Sequence, residues 1–432
     1  MRHKPLLRIF CLSNKLLQLK KLSRLFAGGK ITSYQPIILY RKFTADKIFN
    51  GYELLPDNYV IITTADGVVI DVIDGKEAGD NIEVFEGIIC PGFINAHCHL
   101  ELSYLKNAIA TGTGLVQFVQ QVMSNRSLLN DAKLQAMQLA EQEMYLNGIV
   151  AVGDICNTPD SINIKKESKL QWHNFIEVSG FVDAVASKRL ADTNLVYDEF
   201  LKNNLDNTSL SPHAPYSVSK SLFTQLNTAT AGKIITIHNQ ECAAEDELYQ
   251  YKTGCFLELY NNFGIDISSF DPTGKTSLQS WLPYFTNHPS IITVHNTCTT
   301  QADIDFCREQ GVLAAKQLYF CICINANKYI EQKVPPIELL CNNNCPIIIG
   351  TDSYASNWQL NIWEEIKAIQ LATSYKIPLS EILQWATING ASALQMDNVL
   401  GSFEKGKKPG VILIEGVQNL QSTQQSYAKR IL

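Results

Sequence analysis

The chain has 432 residues, 46% of them hydrophobic and 18% charged, with a formal net charge of −6. That make-up suits a globular chain with material for one large domain and a small accessory one. It supplies no global basic field for a nucleic-acid backbone and no apolar run that would span a bilayer.

The chain opens without an acidic residue between Met1 and Lys42, while Arg2, Lys4, Arg8, Lys15, Lys20, Lys21 and Arg24 are basic. Such a leader reads equally as a transit peptide or as an upstream start added to a domain that begins near Ile31. Residues 1–30 are expected to be an extension with no part in the chemistry. From Tyr34 to Cys90 the stretches "ILYRKFTADKIFNG", "YVIITTADGVVIDVIDG" and "NIEVFEGIIC" are β-branched and bounded by Asn-Gly and Asp-Gly turn signals, which predicts an all-β unit.

At Pro91 the pattern changes. Apolar strand candidates now alternate with helical stretches. "LVQFVQQVMSNR" and "DAKLQAMQLAEQEMYLNG" carry helical periodicity, the second stopped by Gly148. "IVAVGDIC", "WHNFIEVSG", "SLSPHAPYS", "KIITIHNQE", "IITVHNTC", "VLAAKQLYFCI" and "PIIIGTDS" follow as strands, with helices such as "NIWEEIKAIQLATSY" between most of them. The count of β/α units predicts an α/β architecture, a (β/α)8 TIM-like barrel over 91–398. "GSFEKGKKPGVILI" returns to strand character, so 399–432 is expected to join 31–90 in a small β-sandwich domain built from both chain ends.

The twelve cysteines are scattered and follow no secretory signal, which fits reduced thiols in the cytoplasm. Cys321/Cys323 and Cys341/Cys345 match no four-thiolate zinc spacing and sit in apolar surroundings, so they read as structural.

Of eight histidines, His3, His173 and His288 fall in no pattern. The other five, His97, His99, His213, His238 and His295, stand at the ends of predicted strands, and Asp352 ends "PIIIGTD" in the same way. Strand ends of a (β/α)8 barrel converge on one mouth. In "PGFINAHCHLELS" the His-x-His spacing turns two imidazoles to one side of one strand. His97 and His99 thus form half of a tetrahedral site that His238 and Asp352 can complete, and imidazole with carboxylate suits Zn2+ or Fe2+. A lone strand histidine such as His213 is more often a hydrogen-bonded core residue, and Asp352 alone would pass for a helix N-cap. The coincidence of the whole set favours the metal.

With these stretches in view, the sequence resembles the amidohydrolase superfamily. The likeness is to the metal-dependent aminohydrolase branch that holds cytosine, guanine, S-adenosylhomocysteine and aminofutalosine deaminases and the triazine hydrolases. "PGFINAHCHLELS", "SPHAPYSVS", "IHNQE", "VHNT", "GTDSYASN", "WATINGASAL" and "GSFEKGKKPGVILI" carry the resemblance from about Phe43 onward. It implies that His97, His99, His238 and Asp352 bind one divalent ion, Zn2+ or Fe2+. It implies further that Glu241 shuttles protons, that His295 orients the water and that His213 contacts the substrate, with Glu101 and Ser103 of "HLELS" beside it. Binuclear members carry a lysine where this chain has "SPHAPYS", which points to a single metal. Two departures stand out. Ile324 replaces the usual proline of Cys-Pro-Asn-Ala-Asn in "CICINANKYIEQ", and "GKKPGVILI" lacks the usual Asp-Ala-Asp.

The expected function is hydrolytic deamination of an amino-substituted purine-like ring, aminofutalosine or a related adenine nucleoside. Hydrolysis of another C–N or C–Cl bond, as in a triazine or cyclic amide, is the alternative, and an inactive scaffold is a third reading that the intact ligand set disfavours. The expected partner is a small-molecule substrate, with a homodimer allowed and neither nucleic acid nor membrane.

Overall fold

Residues 40–125 and 130–432 are described by the computed structural model, and the basic extension 1–30 lies outside them. Strands β1 (Tyr40–Ile48), β2 (Tyr59–Thr64), β3 (Val69–Asp74) and β4 (Glu83–Pro91) come from the β-branched N-terminal stretch. They share one six-stranded sheet with β13 (Val411–Glu415) and β14 (Tyr427–Arg430), in the order β14-β13-β4-β1-β2-β3. The chain ends therefore meet in one sheet, where β13 runs antiparallel to β4 with Ile412 opposite Cys90 and Ile414 opposite Ile88. The first half of β4, Glu83–Gly87, alternates in burial as a strand with one covered face does.

The middle of the chain forms β5 (Phe93–Cys98), β6 (Ile149–Cys156), β7 (Gln171–Val178) and β8 (Thr208–Pro212), then β9 (Ile235–Asn239), β10 (Ile291–His295), β11 (Leu318–Ile322) and β12 (Ile347–Ile349). These make two four-stranded parallel sheets, β5-β6-β7-β8 and β9-β10-β11-β12. These strands are buried along their whole length because both faces are covered, as parallel strands require. The stretch "VLAAKQLYFCI" becomes a strand only from Leu318, since the residues before it turn.

The two sheets touch at both edges. Cys98 bridges Asp352 in parallel, and the His97 carbonyl accepts the amides of Thr351 and Asp352, each at 3.1 Å. At the other edge the amide of His238 donates to the His213 carbonyl at 3.0 Å. Ile94, Ala151 and Phe175 from one sheet pack with Val294, Cys321 and Ile348 from the other in a single buried cluster. Helices such as Asn130–Leu146 and Ile362–Ala372 alternate with the strands, and no helix among the described residues is long and apolar enough to cross a membrane. Cys321, Cys323 and Cys345 are buried and unbonded, while Cys341 is half-buried.

Candidate metal centre

The carboxyl ends of the parallel strands bring the sequence-predicted residues to one place. His97 lies in β5 and His99 just after it, His238 in β9, His295 at the last position of β10, and Asp352 three residues beyond β12. The Nε2 atom of His99 stands 3.2 Å from Nε2 of His97 and 3.2 Å from Nε2 of His238. The Asp352 Oδ1 atom lies 3.5 Å from the His97 Nε2 and 3.4 Å from the His99 Nε2. All four side chains are buried.

These spacings test the fit of a metal. Four ligands about 2.0–2.1 Å from one tetrahedral ion stand roughly 3.3 Å from one another. The imidazole and carboxylate spacings match that figure. Three converging nitrogen lone pairs are also a poor arrangement without a cation between them. The donors are neutral imidazole and carboxylate oxygen, the set that zinc and iron accept. Burial lowers the pKa of His99 to about 4 against the pull of Asp352, and burial with the neighbouring imidazoles holds His238 well below its usual value. Burial works against ionisation of Asp352, yet the hydrogen bond to His97 and the imidazoles of His99 and His295 keep its carboxyl well below the usual range. His99 and His238 are thus neutral rings beside an ionised carboxylate.

Outer contacts fix these ligands. The Nδ1–H of His238 donates to the His213 carbonyl at 2.7 Å, so its Nε2 lone pair faces the centre. Ser356 donates to the other oxygen of Asp352. Gly350 lets β12 close onto β5, because a Cβ there would stand 2.8 Å from the His97 Cβ and 3.0 Å from the Cys321 Sγ. Left-handed backbone at Gln240 (φ 46°), His295 (φ 73°), Asn296 (φ 56°) and Asp352 (φ 56°) turns the chain sharply at the strand ends. Each such residue costs on the order of 1–3 kcal/mol and persists only where its surroundings insist on it. Asn296 shows how: its Nδ2 donates to the carbonyls of Thr293 and Cys321, and its Oδ1 accepts from Asn239, which in turn accepts from the Trp281 indole.

Glu241 and His295 stand beside the ligands, with Oε1 3.6 Å from Nε2. Burial, reinforced by Asp352, Glu245 and Glu331, pushes the Glu241 carboxyl well up. Burial also lowers His295 to about 4, and its Nδ1 faces the Asn327 Oδ1 at 3.4 Å. His213 follows β8, with Nδ1 2.6 Å from the Ser217 Oγ, and its ring keeps 23% side-chain exposure. Glu101 and Ser103 are committed to the turn after His99. The carboxylate of Glu101 accepts the amides of Asn157 and Thr158 at 3.1 and 3.0 Å, and Ser103 donates to the Leu100 carbonyl at 2.7 Å. Burial raises Glu101 to about 7.

Several participants have no counterpart in the sequence reading. Asp154, at the end of β6, accepts the Leu100 amide at 2.8 Å and pairs with Lys165 at 2.6 Å, both side chains fully buried. Together with Glu101, it fastens the His99 turn to the neighbouring strand. Glu365 accepts from the Asn325 amide, the Asn325 side chain and Asn357, tying the segment after β11 to the one after β12, and burial raises it to about 7. Ile324 opens the helix Ile324–Glu331 fully buried, at the position where the proline is missing. Glu177, near the end of β7, stands 3.9 Å from both His213 Nε2 and His238 Nδ1. In the sequence Asp154, Glu365 and Glu177 show only as charges interrupting an apolar strand or helix, whereas Ile324 is the replaced proline already noted there.

The profile of the Amidohydrolase family matches residues 88–430. The chain is 26% identical over 391 residues to a 5'-deoxyadenosine deaminase of Methanococcus maripaludis, covering 85% of this chain and 84% of that one. In structure it is similar to the aminofutalosine deaminase of Helicobacter pylori, with a TM-score of 0.74, 22% identity, and coverage of 89% of this chain and 93% of that one. It is also similar to a zinc-bound adenosine deaminase of Xanthomonas campestris, with a TM-score of 0.65, 20% identity, and coverage of 87% and 84%.

Proposed function

Because the chain belongs to the amidohydrolase family, we propose that it is a metal-dependent hydrolase that deaminates an adenine nucleoside, or a closely related aminopurine such as aminofutalosine, with release of ammonia. The observation that carries this reading is the convergence of three imidazole Nε2 atoms and the Asp352 carboxylate beside the buried Glu241 carboxyl. The deaminase names of the relatives support the substrate class.

In this reading His97, His99, His238 and Asp352 hold one divalent ion, zinc or iron, and the two parallel sheets close as a (β/α)8 barrel above a small domain of residues 31–90 and 399–432. The absence of a lysine at the end of β8 supports a single ion. The chemistry that such an ion supplies is acidification of water, from a pKa of about 15.7 to about 7. Asp352, ionised and steadied by Ser356, takes up the proton that the attacking water loses. His295, neutral and held by Asn327, offers Nε2 to orient that water. Glu241 donates its proton to the ring nitrogen next to the reacting carbon, which makes an amidine-like carbon electrophilic. The proton held on Asp352 then passes to the departing amine, since amide ion is too basic to leave, and the proton of the new hydroxyl returns to Glu241 as the carbonyl forms, so both carboxyl groups end as they began. His213 meets the substrate from the β8 side. A cytoplasmic enzyme working on small molecules, alone or as a homodimer, fits this chemistry.

The test is ammonia release by zinc- and iron-loaded protein over purine nucleosides, aminofutalosine, pterins and pyrimidines. Release from an adenine nucleoside or aminofutalosine is expected. Ring opening without ammonia, or turnover confined to pyrimidines or pterins, would overturn the assignment.

A further inference from the structure

Glu365 sits in the helix Ile362–Ala372 among Ile362, Trp363, Ile366 and Ile369, and all five side chains are fully buried. A carboxylate persists in such surroundings only where hydrogen bonds offset its lost water. Three donors meet it. The Asn325 amide reaches Oε2 at 3.1 Å, and Oε1 accepts from the side-chain amides of Asn325 at 2.9 Å and Asn357 at 2.8 Å. A carboxylate accepts at both oxygens, whereas the amide of a glutamine accepts at one only. The residue type is therefore matched to its three neighbours.

The two asparagines belong to different segments, and each segment leads to a reacting group. Asn325 lies in the first turn of the helix Ile324–Glu331, which also carries Asn327. Asn327 Nδ2 donates to the Thr297 hydroxyl, which leaves Oδ1 facing His295 Nδ1 at 3.4 Å. His295 has left-handed backbone (φ 73°), so the direction of its ring depends on contacts of this kind. Ile324 opens the helix without a proline ring to fix its φ, so a clamp on the next amide counts for more there. Asn357 follows Asp352 in the segment after β12. Its Nδ2 also donates to the Thr351 carbonyl at 2.8 Å, and the Thr351 amide is taken up by Asn95 Oδ1 at 3.0 Å and the His97 carbonyl at 3.1 Å.

We propose that Glu365 is a positioning residue that clamps the helix aiming His295 onto the segment carrying Asp352, and so sets the water-orienting ring against the proton acceptor. The inference rests on the roles of His295 and Asp352 in the deaminase reading and deepens it. Glu365 acts through Asn325 and Asn327, so its loss falls on kcat and not on KM.

Zinc-loaded wild type, Glu365→Gln, Asn327→Leu, their double variant and Ile369→Ala are compared with the substrate that the ammonia screen identifies. The assay runs at pH 8, because burial raises the Glu365 carboxyl to about 7 and the ionised form is the one under test. Ile369 lies one turn along the same helix and is fully buried, so its truncation loosens that helix without removing a hydrogen bond. In Glu365→Gln kcat should fall about 10- to 100-fold, the scale of a misplacement of about 1 Å, with KM nearly unchanged. Asn327→Leu should lose a similar factor, and the double variant should lose no more than the worse single one, since both break one chain of contacts. Ile369→Ala should keep wild-type kcat below its melting temperature. The visible absorption of cobalt-loaded Glu365→Gln should match that of cobalt-loaded wild type, because Asn95 and the His97 carbonyl still hold Thr351 beside Asp352. Wild-type kcat in Glu365→Gln, a loss confined to KM, multiplied losses in the double variant, an equal loss in Ile369→Ala or a changed cobalt spectrum would each overturn the proposal. If Glu365→Gln is recovered unfolded, Asn325→Ala takes its place in the same comparison, since it keeps the carboxylate and the backbone bond and drops only the side-chain donor. Protein that releases ammonia from no ring amine sinks the deaminase reading and this one together, whereas ammonia release indifferent to Glu365 sinks this one alone.

Discussion

Replacing Lys165 with methionine keeps the length of the side chain and removes its charge. In the native protein Lys165 Nζ lies 2.6 Å from the Asp154 Oδ2 and 3.0 Å from the Cys156 Sγ, and both side chains of the ion pair are fully buried. The variant leaves the Asp154 carboxylate with one backbone donor, the Leu100 amide, and no counter-charge. Breaking a buried pair from one side costs about 3–5 kcal/mol. The double variant Lys165→Met with Asp154→Asn removes both charges and keeps an acceptor for Leu100, so it should recover a good part of that loss. Urea unfolding followed by tryptophan fluorescence is a suitable assay, because the Trp172 ring centroid is 5.2 Å from Lys165 Nζ and reports locally. A single-variant cost below about 1 kcal/mol, or a double variant no better than the single, would refute the claim that this pair is desolvated and holds the His99 turn.

Glu241→Gln keeps size and polarity but removes the proton, so metal content should hold while turnover falls about 10²–10⁴-fold, and near-normal turnover would exclude a proton shuttle. Metal analysis of purified protein should find about one tightly bound ion per chain, which His97→Ala should abolish; two stoichiometric ions would exclude the single-metal reading. His173, buried against Ser209 and Phe175, is lowered by burial to about 3. Its folded pKa is depressed, so the stability it contributes is complete above about pH 6.5 and is lost as pH falls toward 3. Between pH 6.5 and 5 that loss is about 2 kcal/mol. Melting of His173→Asn across this range should be flatter than that of wild type, and an unchanged slope would place the titration elsewhere.

The local pattern of the sequence determined the strand candidates, the return of the chain end to sheet structure, and the set of histidines at strand ends. These are properties of neighbours, since His97 and His99 share a side because strand side chains alternate. The shift from turn-bounded β-branched stretches to alternating strands and helices marked the change from the mixed six-stranded sheet to the parallel ones. Tertiary structure alone decided which groups meet across large gaps in the chain. Asp154 reaches Leu100, Glu365 joins Asn325 to Asn357, and Glu177 faces His213 and His238 with an empty acceptor. A buried carboxylate reads in sequence as one charge in an apolar run, because its partners are fixed by how strands pack side by side rather than by spacing along the chain. The same holds for Glu101 and Ser103. Their place after the His-x-His pair suggested substrate contact, and the fold adds hydrogen bonds to backbone groups of their own turn and of the adjacent strand end. Which way a loop side chain points depends on which backbone donors the neighbouring strand leaves unpaired, and that is settled only when the strands come together.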